Sequence, residues 1–278
     1  MRRICLVYAV ALFLIAPSMV QAKSSNPWDK KLPFKNLTVT YSVSGMEKGE
    51  EVVYVRNYGK EIATYHTGTT TMMGMSVITK TVDFETPEYV YSYDLQSRDG
   101  SKSVNPKKYM IEEYNKLSKA EKKQVQKNAE KMGPAFSEGM SAKIESKALD
   151  ILGFSCDKVE IMGGAVSYVI HGTEIPLKTE INMMGMQMSM VATKVDKGRI
   201  DGGMFVHPEG ITAVNDAEDD SMARTMALQV MTMLKDPNGP QQAAQNPFHP
   251  SMQQGEMTEE EKQMMQQVEQ MMQGMMQQ

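Results

Sequence analysis

The chain contains one stretch written twice. Residues 58–80, YGKEIATYHTGTTTMMGMSVITK, return as residues 171–194, HGTEIPLKTEINMMGMQMSMVATK. Each copy opens on G-x-E-I, at Gly59–Ile62 and at Gly172–Ile175. Each then reaches an identical Met-Met-Gly-Met, at Met72–Met75 and at Met183–Met186. Each resumes with Thr-Lys. A unit repeated at this length is a supersecondary element used twice. Each glycine inside the methionine run suits the turn or bulge of a hairpin, so both copies are expected to be β-ribbons.

The residues around the first ribbon extend the strand pattern. Leu37, Val39, Tyr41 and Val43 alternate with Thr38, Thr40, Ser42 and Ser44, the period of a half-buried strand. Gly45–Gly49 reads as a turn and Val52–Arg56 as a second strand. Tyr89, Tyr91, Tyr93 and Leu95 alternate again, and Asp99-Gly100 reads as a turn pair. Strands return at about 142–149 and 154–162, with Gly163-Gly164 as a hairpin turn before Ala165–Ile170. Met204–Val206 is a candidate last strand.

Two segments carry helical spacing instead. Pro106 suits a first helical position. Met110, Ile111, Tyr114 and Leu117 follow at that spacing. Ser118 and Glu121 form a capping box for a second helix, and Gly133-Pro134 predicts its end. Further on, Asn215-Asp216 caps a helix with acidic residues in its first turn. Its expected apolar stripe is Met222, Met226, Val230, Met233 and Leu234, and Asp236-Pro237 stops it. The expected fold class is therefore α+β: a curved antiparallel sheet with helices on one face.

The two ends read differently. Arg2 and Arg3, the short apolar run Cys5–Ile15 and Val20-Gln21-Ala22 have the form of a removed secretory leader, residues 1–22. Export to the periplasm is the expected location, and no later apolar run is long enough to span a bilayer. Residues 23–236 are expected to be one domain. Residues 237–256 read as a linker. Met257–Gln278 is almost only Met, Gln and Glu, a low-complexity tail, and residues 251–278 are able to present a methionine face to a protein partner.

Charge excludes some functions. The chain has 30 basic and 34 acidic residues, and two of the basic ones sit in the leader. An acidic chain of this kind is not expected to bind nucleic acid. Cys156 is the one cysteine outside the leader, so no internal disulfide is expected. His66, His171, His207 and His249 are scattered, with none paired at ligand spacing in sequence. Nucleophile-elbow, zinc-protease, phosphate-loop and C-x-x-C motifs are missing, so no catalytic residue, metal set or cofactor is assigned.

Methionine is the compositional anomaly, with 28 in the chain. Met184, Met186, Met188 and Met190 alternate within the second ribbon and are expected on one strand face. Three readings stand: core packing, an adaptable cavity for an apolar ligand, or thioether ligands for copper(I). The expected ligand-binding set is Met184, Met186, Met188 and Met190 with Tyr89, Tyr91 and Tyr93.

The ribbon text, with L-G-F-S-C-D at 152–157 and I-P-L-K-T-E at 175–180, resembles a family of uncharacterised exported bacterial proteins. That family is distantly similar to periplasmic lipoprotein carriers of the LolA and LppX type. The resemblance covers about residues 36–205. It implies a half-barrel, helices across its concave side, and an apolar cavity for acyl chains. It assigns no individual site residue.

Overall fold

The computed structural model describes residues 26–29, 31–72, 74–139, 142–161, 164–183 and 186–245. The expected leader and the Met/Gln-rich tail lie outside these residues.

Twelve strands form one sheet. The first half is a meander: β1 (Leu37–Gly45), β2 (Glu47–Arg56), β3 (Glu61–Met72), β4 (Met75–Glu85), β5 (Tyr89–Asp94) and β6 (Asp99–Val104). The second is another: β7 (Lys143–Ile151), β8 (Phe154–Ile161), β9 (Ala165–Ile170), β10 (Pro176–Met183) and β11 (Met186–Asp196). The halves join where β1 pairs antiparallel with β11. The short β12 (Ala213–Asn215) adds to β6 in parallel, the one non-antiparallel pairing among these strands. The spatial order is β12-β6-β5-β4-β3-β2-β1-β11-β10-β9-β8-β7.

Each repeated stretch is a hairpin. The first is β3–β4, with Met72 opposite Met75. The second is β10–β11, with Met183 opposite Met186. Gly59 and Gly172, the opening glycines of the two copies, both take positive φ, +89° and +75°. In each copy this glycine turns the chain into the first strand of its ribbon.

Several boundaries differ from the sequence expectation. Asp99-Gly100 begins β6 rather than forming a turn; Leu95–Arg98 turns instead, with the Asp94 carboxylate accepting from the amides of Gln96 and Ser97 at 2.7 and 3.0 Å. Met204–Val206 is not a strand, because Gly202–Phe205 forms a single 3-10 turn. The chain reverses at Gly45-Met46 alone, so β2 starts at Glu47.

The helices are α1 (Pro106–Lys116), α2 (Lys119–Gly139), α3 (Ala217–Lys235) and α4 (Gly239–Gln245). Asn105 caps α1 by accepting from the Lys107 amide at 2.9 Å. The Ser118–Glu121 capping box forms reciprocally, at 2.9 and 3.3 Å. Helix α2 continues through Gly133-Pro134, against expectation. The φ of proline suits a helix, but a proline such as Pro134 inside one removes a backbone bond and its ring crowds the carbonyl of the preceding turn, a cost of about 3 kcal/mol or more. Helix α4 falls where composition reads as linker.

α1 and α2 pack on α3, and α4 packs on α2. Their shared core is Tyr114, Val125, Met231 and Leu234, with Trp28 edge-on to Tyr114 at 5.8 Å. These helices reach both ends of the sheet, β6, next to the β12 edge, through α3 and the β7 edge through α2. Twelve strands laid flat would separate those ends by about 50 Å. The 21 residues of α2 span about 31 Å. Helices that connect the two ends of an open twelve-stranded sheet fit a curved sheet. Gly45 and Gly49 permit a close approach of the neighbouring strand, because a Cβ at either would run into it, at the Gln187 and Thr67 carbonyls.

Candidate functional site

Register assigns every strand residue to one of two faces, because directly paired residues point the same way. On one face lie Leu37, Val39, Tyr41 and Val43 of β1, paired across to Val195, Ala192, Met190 and other residues of β11. We call this the methionine face. Its core joins Leu37, Val39, Tyr41 and Val55 to Cys156, Ile170, Leu177 and Ala192, with Met190 packed beside them. Tyr41 is buried, and its hydroxyl donates to the Pro176 carbonyl at 2.7 Å. Burial pushes both this hydroxyl and the Cys156 thiol upward in pKa.

The opposite face carries aromatic residues. Tyr93 pairs with Val82, Val82 with Tyr65, Tyr65 with Val52 and Val52 with Thr40, which points away from Tyr41. Tyr54, Tyr65, Phe84 and Tyr93 form a chain of edge-on ring contacts at 5.7–6.4 Å. The segment between β11 and β12 straps this cluster. Phe205 and Ile211 pack on it, Tyr65 donates to the Met204 carbonyl at 3.1 Å, and the Tyr93 hydroxyl meets His207 Nδ1 at 2.7 Å. The Arg56 guanidinium lies 3.8 Å from the Phe205 ring centroid and is held bidentate by Glu61. That pair keeps the Glu61 carboxyl below its usual range.

The structure thus separates the sequence-expected residues. Met188 and Met190 sit half-buried on the methionine face, opposite Gly45 and Val43 of β1. Met186 begins β11 on the same register, while Met184 lies outside the described residues. Tyr91 and Tyr93 belong to the aromatic cluster on the other face. Tyr89 shares their face and lies beneath Lys102 and Lys108, whose Nζ atoms are 5.3 and 5.8 Å from its ring centroid. One face of the sheet cannot present both sets.

The methionine face ends in exposed apolar residues. The β1–β2 turn, the β3–β4 tip and the β10–β11 tip all lie at the same end of the sheet, as the antiparallel pairings require. Met46 is there, 48% exposed. Met75 and Val77 follow on β4, 69% and 63% exposed, both on the methionine face by register.

Beside them is a polar cluster that sequence reading missed. His66 of β3 lies with Nδ1 3.4 Å from Glu51 and Nε2 3.3 Å from Glu47, both on β2. Glu47 reaches back over Gly68, where any Cβ would run into its carboxylate. Asp83 of β4 is close by and bonds Ser92. The Glu51 and Glu47 contacts raise the His66 pKa against an opposing effect of burial. Burial raises the Asp83 carboxyl. The only sequence trace of this cluster is strand parity: residues 47 and 51 share a face of β2, and 66 becomes their neighbour once β2 and β3 pair.

Among the described residues, no group of three or more His, Cys, Asp or Glu side chains is arranged to hold a metal. No helix among them is long and apolar enough to cross a membrane.

No family model matches the chain, and no curated protein does. Among solved structures it is similar to an uncharacterised conserved protein from Thermus thermophilus, at 8% identity and a TM-score of 0.40, covering 66% of this chain and 92% of that one. It is also similar to PNGF-II, at 12% identity and a TM-score of 0.37, covering 69% of this chain. The match spans 33% of the length of PNGF-II.

Proposed function

We propose that this is an exported, non-enzymatic binding protein of the periplasm. Its curved sheet is a half-barrel in the manner of the LolA and LppX carriers, and it holds a lipid or another apolar ligand. The observation that carries the reading is the alignment of Met188 and Met190 with exposed Met75 and Val77 on one face. Apolar groups left in water on a curved surface favour an apolar partner, at roughly 25 cal/mol per Å² covered. Thioethers on unbranched, flexible chains suit a surface that takes ligands of more than one shape. Native mass spectrometry of gently purified protein tests the reading. The expected result is co-purifying lipid and saturable uptake of a fluorescent fatty acid; bare protein with no uptake would refute it.

The ribbon register supports a second reading. It sets Met72 opposite Met75 and Met183 opposite Met186, two methionines per hairpin. Soft thioether ligands suit copper(I). Copper(I) titration of the full chain under a competing chelator separates the two readings. Saturable binding that weakens in Met75→Leu supports copper; none at all removes it.

A further inference from the structure

On the methionine face of β1–β5, register places the acidic residues Glu47, Glu51, Asp83, Glu85 and Asp94. His66 is the only basic residue that these five strands present there. Lys48 and Lys80 fall on the other face by the same register. Glu85 is neutralised from outside the sheet by Lys107 of α1, at 2.9 Å. Asp94 is engaged by the backbone of its own turn. That leaves Glu47, Glu51 and Asp83 facing one imidazole. Tyr41, the β1 residue in the same row, gives its hydroxyl to Pro176 and adds no cation. Thr81, opposite His66 on β4, is neutral.

This arrangement bridges strands near the turn end of the sheet. Glu47 is the first residue after the β1–β2 turn, and the Met46 amide in that turn donates to the Gln187 carbonyl of β11 at 3.0 Å. His66 is six residues short of the β3–β4 tip. Its two nitrogens hold two β2 carboxylates that would otherwise repel each other and Asp83. With a side-chain exposure of 16%, His66 is poorly screened by water.

We propose that His66 is a proton-operated latch, tying the β1–β2 turn to the β3–β4 ribbon when charged and loosening it when neutral. Neutral imidazole can donate through only one nitrogen, so one carboxylate loses its partner. Three carboxylates then share a partly buried patch without a cation. The direction follows by linkage. A His with a raised folded pKa stabilises fully below its ordinary value of about 6.5, and that stabilisation fades as pH rises through the folded value. A buried Asp with a raised pKa acts in the same direction, since the folded patch again binds more protons than the open chain. The latch is closed in mild acid and released as pH rises through the folded His66 value. It operates whether or not the methionine face holds a ligand.

NMR titration of the imidazoles in the full chain, with His66 assigned by its loss in His66→Gln, is the first test. The His66 midpoint should lie above about 6.5 and fall in the Glu47→Gln/Glu51→Gln double variant. Amide exchange, corrected for its intrinsic pH dependence, is the second. Between pH 6 and 9, amides of residues 47–51 and 66–70 should exchange several-fold faster, while those of β9 and β10 hold steady. His66→Gln should show the fast exchange at both pH values. His66→Lys, charged throughout, should show the slow exchange at both and covers the case in which the Gln variant does not fold. A midpoint at or below the ordinary histidine value would overturn the latch. So would exchange at the turn end that ignores pH, or that keeps its full pH dependence in either variant.

Discussion

Asn128 carries more of the helical core than its polarity suggests. It is 2% exposed on α2, and its amide donates to the carbonyls of Leu234 and Asp236, at 3.0 and 2.6 Å. The Leu234 carbonyl is one that the end of α3 cannot satisfy itself. Asn128→Ala leaves the Leu234 carbonyl without its protein donor, while the Asp236 carbonyl keeps the Gly239 amide at 3.0 Å, at an expected cost of about 1–3 kcal/mol. Asn128→Leu should be no better, because filling the volume does not supply a donor. Urea unfolding of the two variants checks this; a Leu variant as stable as wild type would show that water satisfies the Leu234 carbonyl. Tyr41→Phe is the contrasting case. It keeps the ring and removes one hydrogen bond to Pro176, so about 1 kcal/mol is expected. In that variant the Pro176 carbonyl is the group left waiting for a donor.

At the scale of elements, the hairpin tips divide into two kinds of glycine. Gly74 has φ +77° with open space around the position of a Cβ, so Gly74→Ala costs only backbone strain, roughly 1–2 kcal/mol. Gly45 has φ +115° and a Cβ there would also strike the Gln187 backbone. Gly45→Ala should therefore lower the unfolding midpoint clearly further than Gly74→Ala; equal midpoints would mean that the β1–β11 contact relaxes freely. Strands with one buried side are legible in the sequence, because alternation such as that of β1 reports burial directly. β6 is not: DGSKSV has no apolar alternation, and the strand exists because β5 and β12 flank it and Asp220 of α3 accepts the Val104 amide at 2.5 Å. The stripe of α3 keeps Val230 and Leu234 in the helical core as expected and departs at Met222 and Met226 for a related reason. Ala223, Ala227, Met231 and Leu234 face the core, while Met222 and Met226 are 45% and 39% exposed. Methionine outweighs alanine in hydrophobicity, but alanine lets two helices approach closely, and here packing distance decides the face. The β7 edge shows a third case. Its bulge at Lys147, φ +51°, is held by Asp157, which accepts the Lys147 amide at 2.8 Å and bonds His171 at 2.8 Å. Such a bulge twists an edge away from unwanted pairing, and no sequence pattern marks it.

For the whole molecule, the deciding property is which face a residue takes, and that emerges only after several strands are in register. The alternation of Tyr89–Tyr93 and that of Met186–Met190 are both readable, but five further pairings lie between Tyr93 and the β11 methionines. A single bulge, such as the one at Thr40/Tyr41, shifts the count, so sequence could not decide whether the two sets meet. Val77 and Ile78 turn this into an experiment. They are neighbours at the same tip, 63% and 53% exposed, on opposite faces. If the ligand lies on the methionine face, Val77→Gln should weaken fluorescent fatty-acid binding and Ile78→Gln should not. Met188→Gln/Met190→Gln should weaken it most, by about tenfold or more, since each change removes roughly one apolar side chain's worth of burial. Both methionines are only half-buried, so the fold should survive, which circular dichroism would verify. Equal affinity across all of these variants would place any ligand elsewhere, and the strapped aromatic face around Tyr93 and His207 would be the next surface to probe.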